Sequence, residues 1–126
     1  MVIFAYLHVL RDGDGKAAAY GLNLVSPDGD YAIASVHLPD RPNVSEAIRR
    51  AVQKAVDLRP AGTERVVVHS RETMFRYPMT NAQRITGGIV TVPVQMRWLS
   101  PEKKNTHAVW LAYDAVKRGT TIIEIL

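Results

Sequence analysis

The N-terminal third of the chain alternates between apolar runs and short clusters of turn residues. Apolar and β-branched residues predominate at 2–10, 17–26 and 31–38, and clusters of Asp, Gly and Pro separate these runs. Such clusters are typical of tight turns between antiparallel strands. The pattern therefore predicts an antiparallel meander. Its first strand is almost continuously apolar, which indicates burial on both faces.

A helix and a further strand should follow the meander. Asn43 is a favourable N-cap, and Glu46 three residues later makes a variant of the capping box. Apolar residues then recur at helical spacing until Pro60 and Gly62 end the helix. The apolar run at 65–70 predicts a fourth strand. We expect it to be parallel to an earlier strand, because a crossover helix precedes it.

The rest of the chain is less regular. Residues 71–90 contain a proline and a glycine pair, which favour a short helix and loops. A fifth strand is predicted at 94–99 and a second long helix at 105–117. An apolar tail occupies 122–126. No internal repeat is present, and the pattern predicts one α/β domain that spans residues 1–126.

Composition narrows the class of protein. Hydrophobic residues make up 47% of the 126 residues, which is enough for one buried core. The chain has no cysteine, which excludes disulfides, thiolate zinc sites and a cysteine nucleophile and fits a cytoplasmic location. No apolar run approaches the roughly 20 residues that span a bilayer. The start of the chain reads as a strand and not as a signal peptide, so we expect no membrane partner.

The charge admits an anionic partner. The formal net charge is +4 and the isoelectric point is about 9.6. A basic excess of this size permits binding to nucleic-acid phosphates but does not require it.

Several phrases of the sequence resemble the ribonuclease H family. The Tyr20-Gly21 pair is similar to the Tyr-Gly that the family often carries in its second strand, and Asn43 stands where the family has Asn before its first helix. The run that ends in His69-Ser70 resembles the family's apolar run ending in Asp-Ser, with His in place of Asp.

The predicted last helix resembles the family as well. The phrase Asn-Thr-His-Ala-Val-Trp-Leu-Ala at 105–112 is similar to the family's Asn-Glu-x-Ala-Asp-x-Leu-Ala, with Val109 in place of Asp. The resemblance covers nearly the whole chain. It implies an α/β fold with a mixed five-stranded sheet, three antiparallel strands followed by parallel strands, flanked by helices.

The family's chemistry is phosphodiester hydrolysis by two metal ions, which clustered carboxylates hold. By the resemblance, those carboxylate positions read His8, Ala47 or Glu46, His69 and Val109 in this chain. Two registers are open in the first helix. The side chains of adjacent residues in a helix point in directions about 100° apart. Ala47 flanks the apolar stripe and Glu46 points nearly opposite to it, which favours the register with Ala47.

Because other residues replace the family's metal-binding carboxylates, the resemblance implies a non-catalytic domain with no cofactor. Such a domain would bind RNA, an RNA–DNA hybrid, DNA or a protein partner through the family's substrate face. The candidate nucleic-acid-binding residues are Arg11, Lys16, Arg71, Lys103, Lys104 and Asn105. Phe75, Tyr77 and Trp98 are candidates for base stacking.

Two alternatives stay open at this point. In the first, His8, Glu46 and His69 hold a divalent metal ion, and the protein is a divergent metal-dependent phosphodiesterase. In the second, the protein is a self-associating structural module. Its tail at 122–126 would then pair with the sheet edge of another chain in a homo-oligomer, or else cover its own sheet edge.

Overall fold

A computed structural model of the protein describes residues 1–76, 92–100 and 102–126. The strands in this part of the chain are β1 (Val2–Arg11), β2 (Ala17–Ser26), β3 (Gly29–His37), β4 (Arg65–Ser70), β5 (Val94–Trp98) and β6 (Ile122–Ile125). The helices are α1 (Val44–Leu58) and α2 (Thr106–Arg118), with a short 3-10 helix at Thr73–Arg76. Most of the irregular stretch predicted at 71–90 lies outside the described residues.

The strands form one mixed sheet of six strands in the order β5-β4-β1-β2-β3-β6. The pairs β1–β2, β2–β3 and β3–β6 are antiparallel, and β1–β4 and β4–β5 are parallel. The predicted meander and the parallel fourth strand are confirmed. The predicted number of five strands is wrong, because the apolar tail forms β6 along the outer edge of β3 and so covers the chain's own sheet edge.

Helix α1 begins and packs as its sequence predicts. The side chain of Asn43 accepts a hydrogen bond of 2.8 Å from the backbone N–H of Glu46, which satisfies one of the free donors of the first turn. Its apolar stripe is buried against one face of the sheet and consists of Ala47, Ile48, Ala51, Val52, Ala55 and Val56. This stripe and the facing strand residues form the main core.

Strand β1 differs from its prediction. The residues that face α1 are fully or almost fully buried; they are Ile3, Ala5, Leu7 and Val9. On the other face Tyr6 and His8 are half-buried and Phe4 is 40% exposed. Helix α2 packs on β2, β3 and β1, so the part of this face near β4 remains accessible. The prediction of burial on both faces was wrong because an apolar run does not reveal how far a helix extends over it.

Helix α2 lies very close to the sheet. A Cβ atom on Gly21 of β2 would come within 2.7 Å of the backbone N of Ala112 and 2.9 Å of the carbonyl carbon of Ala108. Glycine is therefore needed for the helix to approach so closely. At the start of α2, the buried Asn105 donates its Nδ2 hydrogen bond to the carbonyl oxygen of Leu7 at 3.2 Å. Within the described ranges no helix is long and apolar enough to cross a membrane.

Candidate nucleic-acid interface

His8 lies on the sheet face that α2 partly covers, directly opposite Gly21 on β2. Burial lowers its pKa, against an opposing effect of the nearby Glu72 carboxylate and together with the positive charge of Arg71. A histidine with a lowered pKa is neutral at pH 7. The position at which the family resemblance implies a carboxylate therefore contributes no negative charge here.

His69 lies on β4 on the same face, but the sheet register places it opposite Tyr6 and not opposite His8. Its ring stacks on the Tyr6 ring, with 5.0 Å between centroids and 16° between planes. Burial and the charge of Arg97 lower the pKa of His69, so this ring is also neutral at pH 7. His8 and His69 are diagonal neighbours, and such positions are roughly 7–8 Å apart in a sheet.

Neither residue considered for the first helix supplies a free carboxylate. Glu46 accepts hydrogen bonds from Arg49 at 2.8 Å and from Arg50 at 3.3 Å. The bond from Arg49 lowers the pKa of Glu46 to about 2, so its charge is neutralised by its own helix neighbours. Ala47 is fully buried on the side of α1 that packs on the sheet.

The three-residue metal set of the enzyme alternative is not brought together. His8 and His69 lie on the same side of the sheet as α2, whereas Glu46 belongs to α1 on the other side. Across residues 1–76, 92–100 and 102–126, no group of three or more His, Asp or Glu side chains could hold a metal ion. Val109, the last of the four family positions, is half-buried at the start of α2.

The predicted binding residues divide into two groups. Arg11 forms a bidentate ion pair with Glu72, at 2.7 and 3.1 Å, which offsets its charge. Lys16 lies exposed in the turn between β1 and β2. Asn105 is only 5% exposed and its amide nitrogen is bonded to the Leu7 carbonyl, so its side chain holds α2 to the sheet.

The other three predicted residues lie together. Arg71 donates a hydrogen bond to the carbonyl oxygen of Lys103, which joins the end of β4 to the loop before α2. We call the surface around them the basic depression. It has a volume of about 260 Å³ and is lined by Arg71, Glu102, Lys103, Lys104, Asn105, Thr106, Val109 and Trp110. Its three cations face a single carboxylate, so its net charge is positive.

A second depression adjoins the first through Lys103. It has a volume of about 380 Å³ and is lined by Tyr6, His69, Arg97, Trp98, Leu99, Ser100 and Lys103. Such a volume is at the lower end of the range for ligand sites. Arg97 is exposed on β5 directly beside His69 in the register. Among the described residues, neither Arg97 nor Lys103 forms an ion pair.

Tyr6 and His69 line this second depression, and Phe4 contacts the His69 ring from outside its lining. We call these three ring side chains the aromatic row. Phe4 lies 5.9 Å from the His69 ring centroid at an interplanar angle of 42°. The sequence reasoning did not identify Phe4, Tyr6 or Arg97. The signal was present in β1, where ring-bearing residues occupy every second position at 4, 6 and 8.

The aromatic residues that were proposed for stacking have other surroundings. Phe75 is fully buried in the core. Trp98 is half-buried, and the Arg76 guanidinium lies 4.4 Å from its ring centroid, a cation–π contact. Tyr77 lies outside the described residues. Among the described residues, Trp98 lines the second depression together with Tyr6 and His69, whereas Phe75 does not reach it.

The architecture is similar to solved RNase H domains. The N-terminal RNase H domain of Rv2228c from Mycobacterium tuberculosis, solved as a fusion with maltose-binding protein, matches with a TM-score of 0.63 and 18% identity over 92% of this chain and 99% of that chain. RNase H1 from the halophilic archaeon Halobacterium salinarum NRC-1 matches with a TM-score of 0.60 and 19% identity over 94% and 99%. No family model and no curated protein matches the sequence. The predicted RNase H-like α/β fold is confirmed, and at these identities the likeness concerns the fold alone.

Proposed function

We propose that this RNase H-like domain binds nucleic acid through the basic depression and does not cleave it. The observation that carries the proposal is the charge of this surface. Arg71, Lys103 and Lys104 converge there without an ion-pair partner among the described residues. Cationic side chains that meet on one surface are the usual contacts of a phosphate backbone.

The charges at the family's carboxylate positions support the proposal that the domain does not cleave its ligand. Two hard divalent ions need several oxygen ligands and carboxylates to offset their charge. The family positions in this chain carry two neutral histidines, a buried alanine or an arginine-paired glutamate, and a valine. The RNase H fold supports nucleic acid as the ligand class, since both similar structures are RNase H domains.

Binding should be strongly salt-dependent. If the three cations each contact a phosphate, the logarithm of the association constant falls with the logarithm of salt concentration at a slope of about −2 to −3. Affinity for labelled duplex, hybrid and single strand should then fall roughly 20- to 40-fold between 50 and 200 mM salt. No affinity for any of these ligands at 50 mM salt would refute the proposal.

A charge-matched pair of variants tests the location. The double variant Lys103→Ala/Lys104→Ala should lower affinity and make the salt slope shallower by about 2 units. The control is Lys54→Ala/Lys117→Ala, which removes the same charge from α1 and from the far end of α2. Equal losses in both double variants would show attraction by net charge without a defined site.

A nuclease assay tests the absence of catalysis. We expect no cleavage of an RNA–DNA hybrid in magnesium, manganese or zinc, because the described residues contain no cluster of three or more His, Asp or Glu side chains that could hold paired ions. Cleavage that His8→Ala and His69→Ala abolish would instead support the metal-dependent phosphodiesterase.

A further inference from the structure

The aromatic row places ring side chains on a part of the sheet face that is accessible to solvent. Where one face of a strand is accessible to water, polar side chains are expected on it. Here Phe4 is 40% exposed, and Tyr6 and His69 are half-buried beside it. Exposed rings that touch one another on a rigid sheet point to a binding role more than isolated apolar side chains do.

The geometry of the rings suits flat ligands. Tyr6 and His69 are close to parallel, and Phe4 extends the same ring contact along β1. All three side chains are fixed on paired strands, so little conformational entropy is lost when a ligand stacks on them. A His69 that is neutral at pH 7 presents an uncharged ring, which a base can cover without desolvating a charge.

The surrounding charge selects an anionic partner. Arg97 and Lys103 line the depression beside the rings, and Lys103 also belongs to the basic depression. One ligand could therefore contact the rings and both sets of cations at once. A flat ring system attached to a chain of phosphates fits this surface, and that combination is a nucleic acid.

The bases must be unpaired to reach the rings. In a duplex the flat faces of the bases are stacked on one another, and only the grooves and the backbone are accessible. Single strands expose these faces and stack them on aromatic side chains beside cationic grooves. We propose that Phe4, Tyr6 and His69 form a stacking surface for the unpaired bases of a single strand, with Arg97 and Lys103 on its phosphates. This inference rests on the proposed nucleic-acid function and specifies its ligand.

An abasic ligand separates stacking from charge. An oligonucleotide of mixed sequence and an abasic oligonucleotide of equal length carry the same phosphates, but only the first carries bases. One stacked base is worth a factor of roughly 5 to 150 in affinity. We expect the wild-type protein to bind the abasic strand at least about 10-fold more weakly. Equal affinity would overturn the stacking surface while leaving charge-based binding intact.

Substitutions that keep apolar volume locate the surface. Phe4→Leu and Tyr6→Leu remove the π face and should each weaken single-strand binding about 5-fold or more, with duplex binding unchanged. Both should also reduce the fluorescence quenching of a 2-aminopurine base in the bound strand. The control is Tyr113→Leu, which removes a 56% exposed ring from α2. Circular dichroism melts would show that each variant is folded.

The outcomes distinguish the stacking surface from the binding of nucleic acid by the basic depression. Loss of single-strand binding confined to the Phe4 and Tyr6 variants supports the stacking surface. Binding that these variants leave unchanged, or equal losses for single strand and duplex, would overturn it and leave the basic depression in place. No binding of any nucleic acid by the wild-type protein would overturn both.

Discussion

Replacement of Gly21 by alanine tests the closest contact between the sheet and α2. Gly21 lies opposite His8 on β1 and under the first turns of α2. Helix α2 is also the element whose N-terminal end carries part of the basic depression. A change that moves this helix therefore affects both the stability of the fold and the geometry of the candidate interface.

The magnitude follows from what the added methyl group would meet. Its carbon would lie 2.7 Å from the backbone N of Ala112 and 2.9 Å from the carbonyl carbon of Ala108, and closer still to the oxygen of that carbonyl. Optimal contacts between such atoms are about 3.5 Å, and helix backbone cannot rotate aside, so α2 must move outward by roughly 1 Å or more. Overpacking of a core costs about 1–3 kcal/mol and occasionally more. A displaced helix also strains the 2.6 Å hydrogen bond from Ser35 to the carbonyl of Leu111, which contributes about 1 kcal/mol.

We therefore expect Gly21→Ala to lower the free energy of unfolding by about 3 kcal/mol or more, which is a loss of roughly 10 °C in Tm for a domain of this size. Urea denaturation followed by far-ultraviolet circular dichroism measures it. The matched control is Gly13→Ala in the exposed β1–β2 turn, where a Cβ atom meets nothing within 4 Å. The control should change stability by less than about 0.5 kcal/mol. If Gly21→Ala were as harmless as the control, the close packing of α2 on β2 would be refuted.

Three further predictions concern the fold. Asn105→Asp should lower the free energy of unfolding about 1–2 kcal/mol further than Asn105→Ala does, because a buried carboxylate cannot donate to the Leu7 carbonyl and must also be desolvated. Urea titrations of both variants at pH 7 measure the difference, and equal losses would contradict this reasoning. Because the pKa values of His8 and His69 are lowered in the fold, the unfolded chain takes up protons first as the pH falls through about 6.5, so stability should decrease below that pH. Urea titrations between pH 7.5 and pH 5 measure this decrease, and the double variant His8→Gln/His69→Gln should show a smaller one. If the double variant lost as much stability as the wild-type protein, these two histidines would not be its cause. Deletion of residues 120–126 removes β6 and uncovers the β3 edge, so we expect lower stability and association in light scattering; a monomer of unchanged stability would show that β6 does not protect this edge.

The sequence was least informative about the candidate interface. It identified Arg71, Lys103 and Lys104, which the structure brings together. It also proposed Asn105, whose amide is buried, and Arg11, whose charge an ion pair offsets. Whether a basic or polar residue is available to a ligand depends on neighbours that are distant in sequence, and a single sequence does not specify those neighbours.

The sequence by itself determined the identity and order of most elements, because turn residues, helix caps and apolar periodicity act over a few neighbouring positions. Ala17–Ser26 and Arg65–Ser70 have the predicted bounds, and Asn43 caps α1 as its type predicts. The tertiary structure alone decided three matters: that the tail pairs with β3, that His69 faces Tyr6 instead of His8, and that one face of β1 stays partly open. Strand register and helix docking arise from contacts between residues far apart in the chain, and periodicity shows only that a residue can be buried and not what will cover it.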